Sequence, residues 1–266
     1  MSFIDTHNHV IPYVDDGADD WQTALKMLRM GQEDGIRELV CTPHVLSDKD
    51  LREEHKYIEK FNELRERAAD AGISIKMHLG SELYVQPGYD FKRHITTLAQ
   101  NGRYFLIEFP MSSIPPIIAN QLFDLFSDAH VPIIAHPERN GGLINNPYKA
   151  LEFVKKGALL QLTAGSLLGV FGTQIRMIAK LFMDANLVHI IATDAHDTSR
   201  RPLTLRRSYD YVKELWGIER AHALFIDNPR KLIRGESIEI GSPLPLPDIK
   251  SQPKTLTERV KLFFNR

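Results

Sequence analysis

Short apolar runs alternate with amphipathic helical stretches along most of the chain, and nearly every run stops at a histidine or a carboxylate. Phe3-Ile4 leads into His7-Asn8-His9, and residues 38–41 stop at Thr42-Pro43-His44. Residues 73–77 alternate in polarity and run into Gly80-Ser81-Glu82. Residues 104–107 end at Glu108, residues 131–135 at His136, and residues 187–192 at Thr193-Asp194-Ala195-His196; residues 158–162 form a further run. Helical patterns fill the gaps. Trp21, Ala24, Leu25 and Leu28 fall at i, i+3, i+4 and i+7, with an aspartate available as N-cap and Gly35 as terminator. Further helices are expected over about 50–71, along the face of Ile118, Leu122, Leu125, Phe126 and Ala129, from Asn146-Pro147 to Gly157, and through Ile175, Ile178, Ala179 and Phe182. Roughly seven strand–helix units make the alternation of a parallel α/β architecture.

In a parallel α/β barrel every strand points the same way, so all strand C-termini open on one face, where such folds place their sites. That rule gathers His7, His9, His44, Glu82, Glu108, His136, Asp194 and His196 into one cleft, although they span almost the whole length of the alternating region. Each alone has a bland reading, as a strand-end ion pair or a helix cap. Crowded together without compensation, these imidazoles and carboxylates would repel and desolvate one another. Divalent cations remove that conflict. One catalytic zinc uses about three protein ligands, so this donor count predicts roughly two or three ions. Asp15-Asp16-Gly17 offers one more carboxylate, or a simple turn. Oxygen and imidazole donors without thiolate suit Mn, Fe, Zn or Mg. Arg139, three residues beyond His136, and Arg206, ten beyond His196, have the fork geometry that matches a phosphate.

The rest of the composition narrows the alternatives. Lys and Arg number 33 against 34 Asp and Glu, a balance that argues against a nucleic-acid binder working through a whole-protein field. The single cysteine, Cys41, excludes a disulfide framework, and Ser47, not arginine, stands six residues after it, so a cysteine-dependent phosphatase loop is absent. No phosphate-cradling glycine loop and no Gly-x-Ser-x-Gly elbow occur. The N-terminus lacks a signal-peptide pattern and no apolar run approaches the ~18 residues of a membrane span, so a cytoplasmic protein is expected. Residues 1–240 read as one domain; residues 241–266 read as a proline-spaced linker and a short tail with a basic amphipathic pattern over 256–264.

Asp5-Thr6-His7-Asn8-His9, Thr42-Pro43-His44, Gly80-Ser81-Glu82, Glu108-Phe109, Ala135-His136-Pro137-Glu138-Arg139 and Thr193-Asp194-Ala195-His196 together resemble the motifs of the polymerase-and-histidinol-phosphatase (PHP) superfamily. The string from His7 to Ala18, with Asp15-Asp16-Gly17, resembles one branch of it, the manganese-dependent bacterial protein-tyrosine phosphatases of capsule and exopolysaccharide loci, the CpsB/YwqE type. The likeness runs from residue 3 to about 235; Val45 and Thr193 depart from the usual pattern without removing a proposed ligand.

That resemblance implies a distorted seven-stranded TIM-like (β/α) barrel with three ions, most simply Mn2+. His7, His9, Glu82 and Asp194 would hold one, Glu82, Glu108 and His136 the second, and Asp16, His44 and His196 the third. It further implies hydrolysis of phosphotyrosine by a hydroxide bridging two ions, with Arg139 and Arg206 on the phosphate and His196 as an acid for the leaving phenolate. The expected partner is a phosphotyrosine protein, an autophosphorylating bacterial tyrosine kinase controlling polysaccharide export. Rival readings within the superfamily are a phosphatase of a small phosphomonoester such as histidinol phosphate, and a phosphodiesterase or nuclease. An amidohydrolase would carry a lysine where Glu108 stands, and a non-catalytic metal scaffold would be expected to have lost ligands.

Overall fold

A computed structural model describes residues 1–86, 90–114, 130–239 and 241–246. Two parallel sheets form its centre. One holds three strands in the order β1 (Phe3–Asp5), β2 (Ile36–Cys41), β4 (Lys76–Leu79). The other holds six, in the order β3 (His44–Val45), β5 (Glu82–Tyr84), β6 (Tyr104–Glu108), β7 (Val131–Ala135), β8 (Leu159–Thr163), β9 (Ile190–Ala192). Every pairing is parallel.

The expected count of seven strands is corrected to nine among the described residues. Two apolar runs are cut where they meet the site. Pro43, which has no N–H for a ladder, parts β2 from β3, and Gly80-Ser81 parts β4 from β5. Gly80 has no freedom to be larger, because a Cβ there would meet the Leu98 side chain at 2.8 Å. Backbone bonds nevertheless continue across both breaks, from Gly80 N to Cys41 O (2.9 Å) and from Glu82 N to Pro43 O (3.0 Å). Beyond β1 and β9 the chain also pairs, with His9 N donating to Ala195 O and Asp194 N to His7 O, both at 2.8 Å.

The strands are buried as the apolar runs require. All five residues of β8 are buried, and Phe3, Leu39, Phe105, Leu160 and Ile191 belong to one core that the surrounding helices cover. Helix Trp21–Asp34 starts at Asp20, whose side chain accepts from Thr23 N, and stops at Gly35, whose φ of 108° suits glycine alone. The charged stretch after residue 47 divides at Glu53 into helices Asp48–Arg52 and Glu54–Asp70. Residues 73–77 do not form the expected strand; β4 begins at Lys76, while Ile73 and Ile75 are buried in the core from an irregular approach. The expected helix faces at 118–129 and 256–264 lie outside the described residues. The proline-spaced segment, expected as a free linker, packs down at its start: Leu244 N donates to Ala185 O and Leu246 is buried. No described helix is long and apolar enough to cross a membrane.

Candidate metal centre

The segments that follow β1, β7 and β9, together with β3, β5 and β6, bring nine donor side chains to one end of the strands. His7, His9, Glu82, His136, Asp194 and His196 are buried, Glu108 and His44 are partly exposed, and Asp16 stands at the mouth with its side chain 67% exposed. Glu82 lies at the middle. Its Oε2 is 3.2 Å from His7 Nε2, 3.4 Å from His9 Nε2 and 3.0 Å from His44 Nδ1, and its Oε1 is 3.0 Å from His136 Nε2. Glu108 closes on His136 at 3.5 Å, and Asp16 Oδ1 sits 3.3 Å from His44 Nε2 and 3.4 Å from His196 Nε2. Three sets have donor atoms mutually within 4.8 Å: His9, Asp16, His44 and His196; His7, His9 and Asp194; and His44, Glu82 and Glu108.

These residues suit cations better than one another. The Nε2 atoms of His7 and His9 face each other at 3.3 Å inside the protein. Among the described residues, Glu82 Oε2 and His44 Nδ1 are buried without a hydrogen bond, because their approach at 3.0 Å is misaligned for one. Lone pairs aimed at a shared space are a metal site's signature, and nitrogen and oxygen donors without sulfur fit a hard or borderline divalent ion.

A surrounding shell fixes the rings. His9 Nδ1 is 2.7 Å from Asp15 Oδ2, which leaves Nε2 for the cluster, and Asp15 also accepts from His44 N at 3.0 Å and Gly17 N at 3.0 Å. The turn fits only glycine at position 17, where a Cβ would lie 2.0 Å from His9 O. The Gln161 amide stands 2.8 Å from His7 Nδ1, and Thr6 Oγ1 donates to Gln161 Oε1. His196 Nδ1 donates to Asp194 O at 3.1 Å, so its Nε2 is turned toward Asp16. His136 and Asp194 both have positive φ, 31° and 53°, a conformation a non-glycine residue keeps only when its surroundings hold it.

The electrostatics follow from this crowding. Burial works against the Glu82 charge, yet the nearby imidazoles of His7, His136 and His44 hold its carboxyl well below the usual range. Asp194 is likewise held down against burial by His7, His136, Arg201 and Arg139. Burial, then Glu82, pushes Glu108 up. For His9, burial is outweighed by Asp15 and Glu82, which raise it to about 10. Burial and the neighbouring His9 push His196 down to about 3. A neutral imidazole is the state in which His196 would serve as a metal ligand.

Of the two arginines expected at the phosphate, one is here. Arg139 ion-pairs with Asp194 Oδ2 and lies over Phe171 at 4.6 Å. Arg206 is elsewhere. Its Nε donates to Asp34 O and its guanidinium lies over Phe3, at the end where β1 and β2 begin. The second arginine at the cluster is Arg201, ion-paired to Asp194 Oδ1. The loop explains the exchange: Asp197 Oδ1 accepts from Ser199 N and Arg200 N, and His196 N donates to Arg201 O, so the chain folds back and carries Arg201 to the cluster. Gln161 and Arg201 were missed from sequence, and Asp15 was read only as part of the Asp15-Asp16-Gly17 carboxylate or turn; the turn-forming Asp197 and the Pro202 after Arg201 were the available signals for Arg201. Cys41 is core as expected, fully buried in β2, and burial pushes its thiol up.

Residues 3–234 match the family model for capsular polysaccharide synthesis proteins, CpsB/CapC. The chain belongs to the CpsB/CapC family. It is 35% identical over 236 residues to a CapC protein of Staphylococcus aureus, covering 85% of this chain and 92% of that one. To the tyrosine-protein phosphatase YwqE of Bacillus subtilis it is 31% identical over 245 residues, covering 91% and 96%. A solved structure from a study of B. subtilis YwqE and Streptococcus pneumoniae CpsB, described there as metal-dependent tyrosine phosphatases, superposes with a TM-score of 0.82 at 31% identity over 92% of this chain and 99% of that one. A phosphotriesterase homology protein of Escherichia coli shares the fold at a TM-score of 0.55 and 12% identity, over 87% of this chain and 98% of that one.

Proposed function

We propose that this chain is a metal-dependent protein-tyrosine phosphatase, with His7, His9, Asp16, His44, Glu82, Glu108, His136, Asp194 and His196 holding divalent cations. Two or three Mn2+ ions are the expected complement, which roughly three protein ligands per ion allows. The observation that carries the reading is the convergence of these donors, with two guanidinium groups held on Asp194 at their edge. When bound, such ions lower the pKa of water to about 7 and so supply a nucleophile without a thiol. Arg139 and Arg201 then bind the phosphoryl oxygens and stabilise the charge that grows on them. A tyrosine oxygen, with a free pKa of about 10, leaves without a strong acid.

An apolar cleft of about 530 Å³ beside His44, Asp16 and Glu108 favours an aryl leaving group. Leu46, Tyr57, Tyr84, Phe109, Pro110 and Met111 line it, and Leu46 and Met111 are exposed at its rim. The two sheets, joined through the bonds between the segments after β1 and β9, read as the wall of one distorted barrel, with residues 1–240 as the catalytic unit. A cytoplasmic autophosphorylating tyrosine kinase that controls polysaccharide export is the proposed substrate protein.

Comparing a phosphotyrosine peptide, a phosphoserine peptide, histidinol phosphate and single-stranded DNA as substrates tests this. The phosphotyrosine peptide should have the highest kcat/KM. Faster turnover of histidinol phosphate or DNA would overturn the reading in favour of another PHP activity.

A further inference from the structure

A second hollow, beside Asp194, has contrasting chemistry. A pocket of about 160 Å³ there is lined by Arg200, Arg201 and Arg207 with the hydroxyl residues Thr163, Thr193 and Ser199, and no aspartate or glutamate is among its lining residues. The apolar cleft, by contrast, carries Asp15, Asp16, Asp50 and Glu108. The pocket borders the metal centre, since Arg201 is ion-paired to Asp194 and Thr163 Oγ1 lies 3.5 Å from Asp194 Oδ2. Phe171, which carries Arg139 over its ring, forms part of the same wall.

Arg201 faces the metal centre, ion-paired to Asp194. Arg200 and Arg207 are not committed to anything: both are exposed, and neither guanidinium has a carboxylate or carbonyl partner among the described residues. Arg200 and Arg207 thus line the pocket beside Arg201 with two solvent-accessible positive charges that have no counter-charge among the described residues. Successive residues of an extended peptide are about 3.3–3.6 Å apart, so a residue next to one whose phosphate sits on Arg139 and Arg201 is within reach of this pocket.

We propose that Arg200 and Arg207 form a second oxyanion subsite, which takes a carboxylate or phosphate carried by the substrate beside the scissile phosphotyrosine. This deepens the phosphatase reading and rests on it. The site would then favour acidic or multiply phosphorylated segments over isolated phosphotyrosine.

Three peptides that differ only at the positions flanking one phosphotyrosine test it, carrying glutamine, glutamate or a second phosphotyrosine. The wild-type chain should show kcat/KM about tenfold higher for the glutamate peptide than for the glutamine peptide, as a pair of charge-assisted hydrogen bonds implies. The doubly phosphorylated peptide separates the two sources of the anion; an advantage there alone would assign the subsite to phosphate. In R200S/R207S these ratios should fall toward unity, and R200K/R207K should restore part of them. A wild-type ratio of one for both acidic peptides, or ratios unchanged in R200S/R207S, overturns the proposal. Fluorescence anisotropy of the same labelled peptides reads the preference without turnover. A chain that hydrolyses none of them yet binds the acidic ones more tightly through Arg200 and Arg207 would contradict the phosphatase reading and leave the subsite standing; equal binding would sink the subsite.

Discussion

Arg201 and Arg206 show what a few residues of spacing can hide. Both follow Asp194-Ala195-His196 closely in the chain, but the Asp197 turn sends Arg201 to Asp194 while Arg206 opens a helix at the far end of the strands, against Asp34 and Phe3. Arg201→Ala should therefore lower kcat/KM on a phosphotyrosine peptide by about 10²–10³, the cost of losing one donor to a developing oxyanion. Arg206→Ala should lower Tm by a few degrees and keep kcat/KM within about twofold, as expected for the loss of a packing contact worth ~1 kcal/mol. The opposite pattern, measured by steady-state kinetics and thermal melts, would return Arg206 to the site. A second residue-scale expectation concerns His189, which lies just before β9 and is buried, with Nδ1 accepting from Leu160 N at 3.1 Å. Burial, helped by Arg220, lowers its pKa to about 3. Its unfolded value is near 6.5, so between those limits the unfolded chain binds a proton that the folded chain refuses. Its contribution to stability is complete above about pH 6.5 and is lost as pH falls toward 3. His189→Asn, which can keep an acceptor near Leu160 N, should flatten that acid limb in urea melts taken across the range; an unchanged slope would contradict the assignment.

At the scale of the elements, long periodic segments were legible and their interruptions were not. The spacing of Trp21, Ala24, Leu25 and Leu28 located helix Trp21–Asp34, and its Asp20 and Gly35 ends were readable because capping is local chemistry. The division of β2 from β3 and of β4 from β5 was not, although Pro43 and Gly80 are in plain view, because the need for a break comes from the ligands placed after it. Residues 73–77 alternate like a strand, yet Ile73 and Ile75 are buried before β4 begins, so tertiary packing outweighed the local pattern. Ligand positions at strand ends were readable from one placement rule. Much of the shell that orients them was not, since Gln161 reaches His7 from 154 residues away and Asp15 reaches His44 N from 29. Glu138 makes a structural tie of the same hidden kind, its buried Oε1 accepting from Thr163 N at 3.0 Å and Ser166 Oγ at 2.6 Å and so joining the turn after β7 to the end of β8. Glu138→Ala leaves both donors buried without that partner, which costs about 1–3 kcal/mol. Urea titration should show a lowered midpoint with an unchanged m-value; a midpoint equal to the parent's would mean that the tie carries no stability.

The whole molecule is an arrangement for keeping mutually repelling donors together. Parallel strands deliver them, strained backbone at His136 and Asp194 aims them, and a core that includes Phe105, Leu160 and Ile191 resists their separation. Bound cations should therefore stabilise the fold as well as serve its chemistry, by about 4 kcal/mol when free metal is a thousandfold above its dissociation constant. Stripping the protein with a chelator should lower Tm, and Mn2+ should restore it, whereas a melt indifferent to both would mean that the donors tolerate one another unaided. The most direct measurement is a calorimetric titration of chelated protein with Mn2+, with phosphotyrosine-peptide hydrolysis assayed at each point. The account predicts binding of at least two ions per chain, as donors for roughly three ligands per ion allow, with hydrolysis absent at the start and rising as the sites fill. Full hydrolysis by the stripped protein, or saturation with metal that leaves it unable to cleave phosphotyrosine, would contradict it.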